Sequence, residues 1–159
     1  MPKRLLVALD ETDAAARAVP FAIGLARREG ASLYVMYVNQ YLVGGRGHTV
    51  LTPAEADALV SQAVEEAVAC GVEAVGFVRR ATCFNVSRVI ADSALATHSE
   101  AIVVGTRRAR GWARRFGHGI RERLAHQSPV PVLVAPGPLD VPSALPAEAV
   151  RWAPPQVRS

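Results

Sequence analysis

The residues with the most chemistry to offer follow one short apolar run. After AIVV at 101–104 the chain reads GTRRARGWARRFGHGIRER, with arginines at 107, 108, 110, 114, 115, 121 and 123 and a single acid, Glu122. Seven guanidinium groups against one carboxylate give this stretch a charge of +6, which leaves −2 for the rest of a chain whose net charge is +4. The basicity is therefore local. Guanidinium groups present rigid forks of donors that match phosphate oxygens, and a strand that empties into glycines and arginines and then into a helix is a phosphate-holding arrangement in α/β proteins. The competing reading is a solvated basic loop whose arginines pair with carboxylates on the same surface.

Around that cluster the sequence spells out the elements that must position it. Arg4 to Leu9 is a continuous apolar run ending at Asp10, as expected for a strand covered on both faces. Thr12 or Asp13 is placed to cap a helix that carries an apolar stripe to Arg27 and Arg28, and Gly30 stops it. Ser32 to Val38 is a second strand, and NQYLVGGRGHTVL reads as a long loop from Asn39 to Leu51. Thr52 caps a helix that opens with Pro53 and Glu55 and runs to Cys70 before Gly71. Val72 to Val78 is a third strand, Asn85 to Thr97 a third helix, Ala101 to Val104 a fourth strand. A helix from about Trp112 or Arg115 to His126 and a last strand, Val130 to Val134, complete the series. Alternating strands and helices argue for a parallel sheet with right-handed crossovers.

At 159 residues, half of them apolar and few aromatic, the chain is expected to form one aliphatic-cored domain over 1–136, with a Pro/Ala-rich tail over 137–159. Trp152 in that tail is expected to anchor it on the domain or on a partner subunit. Cys70 and Cys83 lack metal-ligand spacing and read as buried small apolar groups. No stretch reaches eighteen apolar residues and Met1 to Asp10 is too short for a secretory signal, so the expectation is a soluble cytoplasmic protein without a membrane partner.

In open parallel sheets ligands sit beyond the carboxyl ends of the strands where strand order reverses. A crevice between the first and fourth strands brings Asp10 near Gly105, Thr106 and the arginine loop. The Asp10 carboxylate can accept from a ribose hydroxyl or an adenine amino group, or hold a metal carried by phosphates; alternatively it satisfies backbone amides in the turn before the first helix. Gly105 allows close backbone approach and Thr106 adds a hydroxyl. His118, between Gly117 and Gly119, either touches a phosphate or caps structure, and it has no relay partner for general-base work. Neither a nucleophile elbow, nor a GxxxxGK[ST] loop, nor a GxGxxG fingerprint occurs. Catalysis is not expected.

From Arg4 to Ala135 the chain resembles the universal stress protein family, through RLLVALDETDAAARAV, SLYVMYV and EAIVVGTRRARGW…GHGIRERLAHQSPVPVLVAP. The resemblance implies an α/β fold with a single open five-stranded parallel sheet, order 3-2-1-4-5, helices on both faces, akin to the adenine nucleotide alpha hydrolase fold. It also implies a homodimer paired through the last strand, where Val130, Val132 and Val134 face one way, and a division into ATP binders and non-binders. Binders have G-x-x-G and, after nine more residues, G and a Ser or Thr. On that pattern Asp10, Val38, Gly105 and Thr106 match. Arg108 stands at the second glycine, His118 at the third, and Gly119 at the hydroxyl position. A Cβ at Arg108 and an imidazole at His118 intrude where amides should approach a triphosphate. Arg107 and its neighbours can offset this with a looser, salt-sensitive anion site.

Three function classes follow. The first is a stress-response protein with a crevice for ATP, ADP, AMP (with Mg) or another phosphate ligand, acting by binding or signalling. The second is a ligand-free homodimeric adaptor whose arginine loop meets an acidic protein partner. Nucleic-acid binding comes last, because the basic stretch lacks interleaved aromatics and any recognised module.

Overall fold

The structure, a computed structural model, describes residues 2–11, 15–41, 49–105 and 122–136. Its elements are β1 (Arg4–Leu9), α1 (Ala15–Glu29), β2 (Ser32–Tyr41), α2 (Pro53–Ala69), β3 (Ala74–Thr82), α3 (Val86–Ala96), β4 (Ala101–Val104) and β5 (Val132–Val134). Residues 122–127 are also helical. All strand pairs are parallel and the order is β3-β2-β1-β4-β5. The expected sheet is thus the one observed.

Alternation along the strands sends side chains to two separate cores. Leu5, Val7 and Leu9 of β1 join Val35 and Tyr37 of β2 beneath α1 and α2. Leu6, Met36 and Val38 join Ile102 and Val104 beneath α3 and Leu124 of the 122–127 helix. Leu6, Leu33, Ile102 and Leu124 are essentially inaccessible, and each such side chain contributes about 1.5–3 kcal/mol of hydrophobic stabilisation. Small alanines at 18, 22, 26, 56, 63 and 67 let α1 and α2 lie close on the sheet.

The ends of the helices explain where the strands begin. α1, α2 and α3 each finish in a left-handed residue, Gly30 (φ 63), Gly71 (φ 79) and His98 (φ 53). In each case the next amide reaches back five residues: Ala31 N–H to the Ala26 carbonyl, Val72 to Ala67, Ser99 to Ala94, at 2.8, 3.0 and 2.9 Å. This is the Schellman closure, which pairs carbonyls the helix would otherwise orphan. The start of α2 is equally explicit, since Thr52 and Glu55 form a reciprocal capping box with Pro53 in the first turn.

Several expectations need correction. β2 does not end at Val38 but continues through Asn39, Gln40 and Tyr41, and β3 runs past Val78 to Thr82 while starting later, at Ala74. The extensions hold each other: Asn39 is in register with Arg80 and Tyr41 with Thr82, and the Arg80 guanidinium lies 5.8 Å from the Tyr41 ring centre. Arginines belong at an exposed sheet edge. The segment read as a loop therefore begins only after Tyr41, and by Thr49 the chain already bridges back to Tyr41. Val130 precedes β5, because Ser128 bonds both the amide and the carbonyl of Val130 and holds it in a turn. Cys70 is exposed at the end of α2 and Cys83 is half-buried in the turn after β3, so neither is the buried apolar group expected. The predicted caps Thr12 and Asp13, and the tail with Trp152, lie outside the described residues.

Candidate functional site

The order β3-β2-β1-β4-β5 reverses direction between β1 and β4, which are direct neighbours. Ala8 is in register with Val104. Asp10, two residues on from Ala8, and Gly105, one on from Val104, therefore leave the sheet side by side at its carboxyl end. Both are half-buried. A carboxylate beside a glycine at a switch point suits the donors of a nucleoside and the close backbone approach of its ligand. Val38 is set deeper: it lies three residues before the end of β2 and is 5 % exposed within the core under α3. Thr106, Arg107, Arg108, His118 and Gly119 lie outside the described residues.

Two side chains that sequence reasoning passed over stand at this end. Tyr37, in register with Leu9 and 1 % exposed, donates its hydroxyl to the Glu11 carboxylate just beyond Asp10. Burial above all, then the bond to Glu11 and the charges of Glu11 and Asp10, push the phenol well above the ordinary tyrosine range, so it stays a donor. Asn39, 3 % exposed, grips the Leu51 backbone with both ends of its amide: Nδ2–H donates to the Leu51 carbonyl at 2.8 Å and Oδ1 accepts from the Leu51 amide at 3.1 Å. Thr49 donates to the same carbonyl. No local pattern marks either pair, since the partners are 26 and 12 residues apart. A cleft of about 360 Å³ adjoins the Asn39 clamp, lined by Asn39, Thr49, Pro53, Asp57, Val78 and Arg80.

Among the described residues no group of three or more His, Cys, Asp or Glu side chains is placed to hold a metal ion. Among them, too, no helix is long and apolar enough to cross a membrane. At the far edge, β5 pairs with β4 through the Pro131 carbonyl, which accepts from the Ile102 amide at 2.9 Å, and through the Ala135 amide, which donates to the Val104 carbonyl at 2.8 Å. In extended chain the N and C=O of one residue point the same way, so Pro131 turns its missing donor toward β4, and Val132 and Val134 turn their backbone groups outward. Val134 is 46 % exposed. Val130 and Val132 pack against the core under α3 and Leu133 against the opposite one.

A doubly wound parallel sheet with an acid and a glycine at its switch point defines an open α/β protein of the nucleotide-binding architecture. The universal stress protein family model matches residues 1–136, and the chain belongs to that family. The function this establishes is the family's general one, in stress response and associated with nucleotides. The chain is similar to the universal stress protein from Archaeoglobus fulgidus solved in complex with dAMP, at 26 % identity and TM-score 0.65, covering 84 % of this chain and 98 % of that one. A further universal stress protein structure from Archaeoglobus fulgidus (24 % identity, TM-score 0.67, 86 % and 95 % covered) shares the fold. So does a family member from Burkholderia pseudomallei (24 %, 0.65, 85 % and 96 %). A comparison with curated proteins finds no match.

Proposed function

We propose that the chain binds an adenine nucleotide, or a ligand like it with a phosphate group, at the exits of β1 and β4, and that it acts by binding rather than by turnover. The observation that carries this reading is the adjacency of Asp10 and Gly105 at the point where strand order reverses. The dAMP complex of the Archaeoglobus fulgidus relative supports it. Asp10 takes the nucleoside, Gly105 and Thr106 the first phosphate, and Arg107, Arg108, His118 and Gly119 the rest, with magnesium entering on the phosphates of ADP or ATP. Arginines in place of glycines favour fewer phosphates and a stronger salt dependence.

Calorimetric titration of the full chain with AMP, ADP and ATP at low and physiological salt tests this, with Asp10→Ala and Arg107→Ala alongside the parent. The expected result is saturable binding that persists at physiological salt and weakens about tenfold in Asp10→Ala. Binding that ignores Asp10 and disappears with salt reduces the site to an unspecific anion surface. No binding at millimolar nucleotide overturns the proposal and leaves the adaptor reading.

We further propose a homodimer through β5. The outward backbone groups of Val132 and Val134, the exposed Val134 side chain and the placement of Pro131 support antiparallel pairing of two such edges under a two-fold axis. Val134→Pro removes an outward donor without touching the β4 ladder, and sedimentation should then find a monomer. A dimer of undiminished affinity would exclude this edge.

A further inference from the structure

Among the described residues Tyr37 is the bulkiest of the fully buried side chains, yet its polar end is spent at the mouth of the sheet rather than in the core. Its register partner is Leu9, the last residue of β1, so the ring lies alongside the strand end and the hydroxyl reaches beyond it to Glu11. Glu11 itself is an exposed residue. Left alone, an exposed glutamate would be solvated in many rotamers and would impose nothing on its neighbours. Bonded to a donor that is fixed by the core, it becomes a tether on the backbone directly after Asp10.

Glu11, the acceptor of this bond, is the residue next to Asp10, and the charge of Asp10 acts on the same buried hydroxyl, less strongly than that of Glu11. A site that recognises a nucleoside through one carboxylate needs that carboxylate held within a few tenths of an ångström, and such precision comes from supporting bonds behind the contacting group. We infer that Tyr37 is a positioning residue for nucleoside recognition: through its bond to Glu11 it fixes the course of the chain as it leaves β1 and thereby the place of the Asp10 carboxylate. The inference rests on the nucleotide reading of the crevice, and it adds a residue that never touches the ligand.

The test uses the full chain and two probes, AMP and inorganic tripolyphosphate, the second having phosphates but no nucleoside. Tyr37→Phe keeps the ring and removes only the hydroxyl; Glu11→Ala removes the acceptor from an exposed position and asks the same question if the core variant folds poorly. Each is expected to weaken AMP about tenfold while leaving tripolyphosphate unchanged. In an Asp10→Ala background Tyr37→Phe is expected to add nothing further, because its effect passes through that carboxylate. If the parent binds AMP and both variants bind it equally well, the inference is wrong. It is equally wrong if tripolyphosphate falls in proportion, which marks a general loosening, or if the effects of Tyr37 and Asp10 add. A parent that binds no nucleotide removes the crevice reading itself, and this inference with it.

Discussion

The two ends of the sheet are finished by different means. At the amino end, three helices close through the same backbone turn: Gly30, Gly71 and His98 turn left-handed and the following amides bond back into the helices. Around the third of these turns side chains add to the backbone closure: the Thr97 hydroxyl lies 2.9 Å from the Ser93 carbonyl and 2.7 Å from the Ser99 hydroxyl, and the Arg4 guanidinium donates to the Thr97 carbonyl at 3.2 Å. At the carboxyl end side chains close three of the turns, with Tyr37 on Glu11, Asn39 on Leu51, and Thr52 with Glu55, while α3 starts at Asn85 without a side-chain cap. Backbone closures tolerate most sequences and specify little beyond the turn. Side-chain closures can be tuned residue by residue, and they stand at the end where Asp10 and Gly105 emerge. Left-handed backbone turns are thus the shared device at one end, and long-range side-chain bonds are added at the other.

The contrast is broken most severely at Asn39. Asn39→Ala removes two hydrogen bonds from a buried position; the Leu51 amide loses its partner, while the Leu51 carbonyl keeps the bond from Thr49. An expected loss of about 2–4 kcal/mol in urea denaturation follows from two bonds lost and the amide left unpaired. A loss below that of any amino-end variant would mean that water replaces the clamp and that the carboxyl end is not held by side chains.

At the amino end the largest sensitivity should be to conformation. Gly71→Ala forces a Cβ into a φ of 79, for a cost of about 1–2 kcal/mol. His98 already carries that strain at a φ of 53, so His98→Gly should regain part of it, up to about 1 kcal/mol. The two substitutions should therefore have opposite signs in the same denaturation assay. Equal signs would show that the closure depends on more than backbone geometry.

These two kinds of closure also separate what was legible in the sequence from what was not. Gly30 and Gly71 announced the helix ends because only one residue type adopts that turn freely, and T-P-A-E at 52–55 announced a capping box because its partners are three residues apart. Asp10 and Gly105 could be paired because strand order follows from the resemblance and the topology bears it out. His98 did the work of a glycine and so left no signal. Asn39 and Gln40 read as loop, and the expected third strand stops at Val78, short of Arg79 and Arg80, yet both strands extend through mutual pairing across the sheet. The bonds of Tyr37 and Asn39 span 26 and 12 residues; tertiary placement creates them, and no local spacing encodes it.

Thr52→Ala tests a side-chain closure of smaller value. It loses the Thr52 Oγ acceptor for the Glu55 amide at 3.3 Å and the hydroxyl that donates to the Glu55 carboxylate at 2.8 Å, while the backbone amide at position 52 keeps its own 2.8 Å bond to that carboxylate. Loss of an N-cap of this kind costs about 1 kcal/mol, less than Asn39→Ala because the box is exposed and water can replace its bonds. Circular dichroism on thermal unfolding should show a lower midpoint with unchanged native helix content.

The smallest effect should come from charge at the amino end. Lys3 and Glu29 pair at 2.8 Å on the surface, with Arg28 at 3.5 Å from the same carboxylate. The bond to Lys3, then its charge, holds Glu29 below the ordinary carboxylate range, and the bond to Glu29 holds Lys3 above the ordinary lysine range. The depressed carboxylate stabilises the fold above its unfolded pKa, and that contribution disappears as pH falls through the folded value. The raised ammonium contributes below its unfolded pKa and loses its contribution as pH rises through the folded value. Between those limits the pair is constant, and solvent and salt screen it throughout. Comparing parent and Glu29→Gln in urea at neutral pH and at pH 3, the gap should be small at neutral pH and should shrink in acid. A gap that widened in acid would mean that the folded state prefers the protonated carboxyl, and that the pair with Lys3 does not stabilise the fold.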